Sequence, residues 1–266
     1  MLKADLHIHS TVSDGSDTIS QIVEKAVKRG LDVIAVTDHD TLAHTGQIPA
    51  DTRISVLAGV EISAIDPDTK VKAHILGYGI RDIAALEALT QPLLERRHNN
   101  SLMQIAILRR HGFIIDTTKL NKAAGRYVYK QHIMEHLVKT GQADGMFGSF
   151  YKTVFKNGGF CDFDINYINV FEAVEAVKAA GGLAVLAHSG QQQNFYLISR
   201  LTPLGLAGLE CNHPAHSESD KAIIREYAKK YDLFLTGGSD YHGTNDANPV
   251  QIGDYLSEES GVTALC

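Results

Sequence analysis

Short runs of Val, Ile, Leu and Ala recur along the chain, and each ends in or encloses residues that bind metals or move protons. Leu2 to Leu6 leads into His7-Ile8-His9, and Asp32 to Thr37 into Asp38-His39-Asp40. Ile54 to Val60 ends at Glu61, and Val71 to Tyr78 carries His74 inside it. Leu183 to Ala187 ends at His188, and Leu206 to Leu209 at Glu210-Cys211-Asn212-His213. Leu233 to Thr236 passes through Gly237-Gly238 to Ser239-Asp240-Tyr241-His242. Apolar runs of this length read as parallel strands buried on both faces.

Helical patterns separate many of these strands. Thr18-Ile-Ser-Gln21 is a capping-box pattern; it opens a helix with Ile19, Ile22, Val23, Ala26 and Val27 on one face and Gly30 as its stop. A second amphipathic helix holds Phe171, Val174 and Val177 and ends at Gly181-Gly182. A third runs from Ser219 to Tyr231, with Ile223, Ile224, Tyr227 and Ala228 as its apolar side. Strands alternating with helices define an α/β chain, either a closed barrel or an open doubly wound sheet. The polar clusters choose between them. In a barrel all parallel strands end at one mouth, so ligands scattered through the sequence converge. An open sheet would space its strand ends by roughly 4.8 Å each, too widely for one compact site. The expectation is therefore a (β/α)7 barrel built from residues 1–80 and 166–266. Residues 81–165 break the rhythm and read as a helical insertion capping the mouth. It contains one helix from Arg81 to Gly112 with Pro92 inside, a second from Gln131 to Thr140, and a return loop from Phe147 to Phe163.

The chemistry follows from residue type and spacing. His7 and His9 are two apart on a strand, so both point to one face. Asp14 adds an oxygen donor just beyond, and Asp5 precedes them. In Asp38-His39-Asp40 an acid can bind a metal, orient the imidazole or cap a helix. Glu61 sits at a buried strand end, where an unpartnered carboxylate is costly. His74 and His188 sit in apolar surroundings, and Asp240 and His242 repeat the period of two. Together His7, His9, Asp14, His39, Glu61, His74, His188, Asp240 and His242 supply six imidazoles and three carboxylates. Such a mixture suits Mn, Zn or Fe better than Ca or Mg. Nine donors exceed the needs of one ion, so two or three divalent transition-metal ions are expected.

The 25 Lys+Arg and 31 Asp+Glu give a net charge of -6, which argues against a broad basic surface for long duplex nucleic acid. No stretch reaches the roughly 18 apolar residues of a membrane span, and no apolar signal core precedes His7. Three cysteines, Cys161, Cys211 and Cys266, are an odd, irregular set that suits a reducing cytoplasmic compartment rather than a disulfide framework.

The ordered set Asp5-Leu-His7-Ile-His9-Ser10, Thr37-Asp38-His39-Asp40, Gly59-Val-Glu61, His74-Ile-Leu-Gly77, Ala187-His188, Glu210-Cys-Asn-His213-Pro-Ala-His216 and Gly238-Ser-Asp240-Tyr-His242 resembles the PHP (polymerase and histidinol phosphatase) family, above all its small stand-alone phosphoesterases. The resemblance implies a distorted seven-stranded barrel and a trinuclear partition of the donors. His7, His9, Glu61 and Asp240 would hold one ion. Glu61 would bridge to a second, shared with His74 and His188, while Asp14, His39 and His242 would hold the third. It also implies hydrolysis of a small phosphorylated substrate, a nucleotide or sugar phosphate, bisphosphate or cyclic phosphate, by a hydroxide bridging the ions. Asp38, His213 and His216 are the implied catalytic side chains, and Arg126, Lys130, His132 and His216 the implied substrate contacts. Two departures stand out: Ser189-Gly190-Gln191 replaces a Pro-Gly that often follows the histidine, and Arg126-Tyr-Val-Tyr-Lys130-Gln-His132 replaces an Arg-Pro-His or Arg-x-His pattern. The alternatives are a 5′-to-3′ exoribonuclease acting on short oligonucleotides, a non-catalytic metal-binding module serving a larger polymerase, and a C–N hydrolase. The last commonly uses a strand-end lysine, which this chain lacks.

Overall fold

The aliphatic runs form strands, and their order around the sheet brings the chain's two ends together. A computed structural model describes residues 2–50, 52–120, 127–246 and 250–266. The strands are β1 (Ala4–Ile8), β2 (Val33–Val36), β3 (Ser55–Ile65), β4 (Lys72–Tyr78), β5 (Ile168–Asn169), β6 (Leu183–Leu186), β7 (Leu206–Asn212) and β8 (Phe234–Gly237). They lie in the order β1-β2-β3-β4-β6-β7-β8, and the two-residue β5 pairs beside β3. The sheet curls until its edges meet. Ile8 and Tyr241 form a parallel bridge, and the amide of His9 donates to the Tyr241 carbonyl at 2.9 Å. The fold is thus α/β, a distorted barrel.

One strand runs against expectation. β4 is antiparallel to both β3 and β6, with Ser63 opposite His74 and Leu76 opposite Val185. The cause is the short connection between β3 and β4. A parallel return needs a crossover of a dozen or more residues, whereas a hairpin needs only a turn. The Asp66 carboxylate builds that turn, accepting from the Asp68 amide at 3.0 Å and the Thr69 hydroxyl at 3.0 Å. His74 therefore sits in the middle of its strand. It reaches the mouth because Glu61, two residues before its partner Ser63, lies on the same face.

The helices are α1 (Ile19–Lys28), α2 (Ile83–Arg110), α3 (Lys130–Lys139), α4 (Ser149–Val154), α5 (Val170–Ala179), α6 (Ser189–Gln192), α7 (Tyr196–Leu201), α8 (Glu218–Tyr231) and α9 (Glu259–Leu265). Thr18 and Gln21 form the expected reciprocal capping box, and Ile19, Ile22 and Ala26 are buried. In α8, Ile224 and Ala228 face the core but Ile223 is exposed. It lies on the solvent flank of the stripe rather than within it. α2 runs without a break past Pro92. α4 falls inside the stretch expected to be a return loop. The Asp144 carboxylate starts it by accepting from the Ser149 and Phe150 amides at 2.7 and 3.0 Å.

Two apolar clusters are distinct in composition. The larger collects Val60, Ile62, Ile75, Val174, Val177, Leu186 and Leu209 between the sheet and α5. Another draws all its members from residues 105–163, including Leu108, Ile133, Leu137 and Phe155, so α2, α3 and α4 share a core of their own. Tight approach at the sheet ends demands glycine. A Cβ at Gly238 would overlap the backbone N and Cβ of His7.

Candidate metal centre

Glu61, 1% exposed at the end of its apolar run, is the hub of the site. Its Oε2 lies 3.3 Å from His7 Nε2, 3.1 Å from His9 Nε2 and 3.2 Å from His39 Nδ1. Its Oε1 lies 2.6 Å from His74 Nδ1 and 2.9 Å from His188 Nε2. Five imidazoles from four separate chain segments thus surround one carboxylate. Asp240 meets the first pair from the other side, its Oδ1 3.3 Å from His7 Nε2 and 3.2 Å from His9 Nε2. Asp14 sits 3.5 Å from His242 and 3.8 Å from His39. The rings of His9 and His242 stack at 4.0 Å.

The donor atoms form overlapping groups, each within 4.8 Å across: His7, His9, Glu61 and Asp240; His9, Asp14, His39 and His242; His39, Glu61 and His74; and His7, Glu210 and His213. All nine donors expected from the sequence meet at this one mouth. The electrostatics are those of a proton-filled ligand cage. Burial pushes the Glu61 and Asp240 carboxyls up, but the surrounding imidazoles outweigh it and hold both well below the usual range. Burial disfavours a charged His242, yet Asp14 and Asp240 carry it up to about 10. Burial takes His39 down to about 4 despite Glu61 and Asp14.

Buried polar atoms are almost always hydrogen-bonded. Here His7 Nε2, both nitrogens of His9, Asp14 Oδ2, His39 Nδ1, His188 Nδ1 and Asp240 Oδ1 are buried without a hydrogen bond of good geometry. All are metal-donor atoms, and a mixed imidazole and carboxylate shell fits divalent transition ions. The residues present fit a metal cluster.

A second layer orients these donors. His7 Nδ1 donates to Glu210 Oε1 at 2.9 Å, which turns Nε2 toward the cluster, and Glu210 Oε2 accepts the His188 amide at 2.8 Å. Burial raises the Glu210 carboxyl, but His7 and His213 bring it down to about 2. Sequence reading assigned Glu210 no role, although it is a buried strand-end acid of the same kind as Glu61. Asp5 does not join the donors; its carboxylate accepts the Ser239 and Gly253 amides at 2.9 and 2.7 Å, tying β1 to the chain's end.

Several expected roles need correction. Asp38 is fully buried, accepting from the Ser10 amide and the Ser10 and Ser13 hydroxyls at 2.6 to 2.8 Å, with His44 Nδ1 3.1 Å away. It holds the loop that carries Asp14. His44, which the sequence did not single out, is its buried partner. Both nitrogens of His216 are engaged: Nδ1 donates to the Cys211 carbonyl at 2.8 Å and Nε2 accepts the Gly190 amide at 3.1 Å. Neither is left for a proton transfer or a substrate. His132 is 2% exposed, and its Nδ1 accepts the Tyr129 amide at 3.2 Å at the start of α3. It lines no cleft. Arg126 lies outside the described residues. His213 does reach the cluster, its Nε2 3.3 Å from Asp240 Oδ2, and Lys130 lines the adjoining cleft. Asp40 accepts from the Ser63 amide at 2.7 Å and from Arg97 at 2.8 Å, fastening α2 to the barrel.

A cleft of about 270 Å³ opens onto Glu61, His74, His188, Asp240 and His242. A barrel whose strand ends converge on six imidazoles and three carboxylates, beside an open cleft, defines a metal-dependent hydrolase. The chain belongs to the PHP domain family, whose model matches residues 5–236. It is 43% identical over 245 residues to the phosphoribosyl 1,2-cyclic phosphate 1,2-diphosphodiesterase of Eggerthella lenta, covering 90% of this chain and 94% of that protein. It is 30% identical over 259 residues to the 3′,5′-nucleoside bisphosphate phosphatase of Chromobacterium violaceum, covering 92% and 89%. Among solved structures, a candidate metal-dependent phosphoesterase from Bifidobacterium adolescentis superposes with a TM-score of 0.88 at 27% identity, covering 98% of this chain and 94% of that one.

Proposed function

We propose that this enzyme, a metal-dependent phosphoesterase, acts on a small phosphorylated sugar or nucleotide, with a cyclic phosphate on a phosphorylated ribose as the first substrate to try. The observation that carries the reading is the Glu61 hub with its five imidazoles. The 43% likeness to the Eggerthella lenta diphosphodiesterase supports trying this substrate first.

Two or three ions, Mn, Zn or Fe, would be held by the nine donors in the overlapping groups described above. Glu61 is shared between the His7, His9 and Asp240 set and the His74 and His188 set, and Asp14, His39 and His242 form the third. When bound, such ions supply Lewis acidity and lower the pKa of water, to about 7 in well-studied zinc enzymes.

The chain's own residues do the rest. Glu210 fixes the tautomer of His7, and Asp38 fixes the Asp14 loop. The Ala215 amide donates to His213 Nδ1 at 3.1 Å, which leaves the ring proton on Nε2 beside Asp240. His213 is therefore the group we assign to protonate the leaving oxygen. Residues 81–165, with their separate core, form a cap over the mouth, and Lys130 and Arg126 are its substrate contacts. The two buried, unpaired cysteines suit a reducing cytoplasm.

The complete donor set argues against a silent metal-binding module. The test is hydrolysis of ribose 1,2-cyclic phosphate 5-phosphate by Mn-supplemented protein, in which one water opens the ring to a phosphate monoester and a second water releases inorganic phosphate, with Glu61→Gln as the variant expected to abolish both. Turnover of short RNA alone would move the assignment to an exoribonuclease. No turnover of any phosphate ester would overturn it.

A further inference from the structure

A second cavity of about 240 Å³ adjoins the metal-centre cleft, and His39, His74, Gln131 and Gln192 line both. Its remaining wall is cationic. Lys72, Arg97, Lys130 and Lys156 face it against a single carboxylate, Asp164. This is unusual in a chain whose acids outnumber its bases by 31 to 25.

Two of the four cations are already spoken for. Lys72 donates to Asp164 at 2.6 Å and to the Tyr167 hydroxyl at 3.1 Å. Arg97 donates to Asp40 at 2.8 Å and to the Ser63 hydroxyl at 2.9 Å, although its buried Nε has no partner. Lys130 and Lys156 have no carboxylate partner among the described residues. Lys130 is half-buried, its ammonium 5.7 Å from the centre of the Phe155 ring. Burial, reinforced by Lys156, Lys72 and Arg97 against Asp164, draws its pKa down. Lys130 is half-buried and Lys156 exposed, and cations gathered around one cavity repel one another unless an anion joins them.

We propose that this cavity is an anion subsite. In it Lys130 and Lys156 grip the non-reacting phosphate of a substrate that carries two phosphoryl groups, while the other lies at the metal centre. The inference rests on the phosphoesterase reading above and adds to it a requirement for a second phosphate. The shared walls at His39 and His74 give one ligand access to both cavities. Charge-assisted contacts to a phosphate are strong, so each lysine accounts for about a 10- to 100-fold preference.

The test compares kcat/KM on ribose 1,2-cyclic phosphate 5-phosphate with kcat/KM on ribose 1,2-cyclic phosphate, in Mn-loaded wild type, Lys130→Ala, Lys156→Ala and the double variant. The expected result is a strong wild-type preference for the doubly phosphorylated substrate. The preference falls about 10- to 100-fold in each single variant and approaches unity in the double. A ratio that the double variant leaves intact overturns the subsite while sparing the phosphoesterase assignment. Should wild type turn over neither substrate, the choice of a ribose cyclic phosphate fails while the phosphoesterase class stands. Calorimetric titration of the same proteins with ribose 5-phosphate, against ribose as the control, still decides the subsite. Binding by wild type and none by the double variant supports it; equal binding by both, or none by wild type, overturns it.

Discussion

Replacing Asp38 with alanine separates a positioning carboxylate from a catalytic one. Asp38 accepts the Ser10 amide at 2.8 Å, the Ser10 hydroxyl at 2.7 Å and the Ser13 hydroxyl at 2.6 Å, and His44 lies 3.1 Å away. All are buried, so the substitution strands several donors and an imidazole. Breaking such a buried network costs about 3–5 kcal/mol, or a fall in Tm of roughly 6–20 °C for a chain of this size. Ser13 also donates to Asp14 Oδ1 at 3.1 Å, so the loop's metal donor loses its support. Loss of such an outer contact weakens metal binding by about 10- to 100-fold. Burial raises the Asp38 carboxyl, but His44 and Ser13 bring it down to about 2 from an ordinary 3.8. A depressed acid contributes stability that is complete above the unfolded value and is lost as pH falls from about 4 toward 2. The variant should lack that acid limb, worth roughly 2 kcal/mol. Thermal melts across pH, with elemental analysis of metal content, measure all three effects. A variant with wild-type Tm and full metal content but collapsed turnover would refute the reasoning and return Asp38 to the reacting atoms.

Two further outcomes follow from the same geometry. Stripping divalent ions with a chelator should lower Tm, since ligands held by the folded state alone stabilise it by about 2.7 kcal/mol at a hundredfold excess over Kd. Adding back Mn should restore it in differential scanning fluorimetry, and a Tm indifferent to chelation would contradict the cage. Glu210→Gln should weaken metal affinity by about 10- to 100-fold, with activity recovering as Mn is raised. A loss that excess Mn cannot rescue would place Glu210 on the substrate instead.

The nine donors were legible because their logic is local. Period-two spacing puts His7 with His9 and Asp240 with His242, and a buried acid such as Glu61 announces its need for a partner. What was not legible depends on direction. The residues from Asp66 to Lys70 reverse the chain, which makes β4 antiparallel, but an apolar run carries no mark of its sense. Asp38 and Asp40 flank His39 in sequence yet point to different neighbours, one to the Ser10 loop and one to Arg97. His216 reads like His213 until the Gly190 amide and Cys211 carbonyl are found on its two nitrogens. Glu210 was passed over because its partner, His7, lies 203 residues away.

The division of labour follows from where the donors are. None of the nine candidate donors lies in residues 81–165. Yet the cap segment is tied to that assembly at two points. The Tyr129 hydroxyl donates to the carbonyl of His39 at 3.1 Å, and Arg97 reaches the buried Asp40 one residue further on. Both ties end on the strand-end segment that carries a metal donor. Three of the second cavity's four cations lie in the same cap segment, Arg97 on α2, Lys130 opening α3 and Lys156 just after α4, while Lys72 begins β4. A shift of the cap would therefore move the anion grip and strain the His39 backbone together. Selection for a different second charge on the substrate can rework Lys130 and Lys156 without touching a single metal donor.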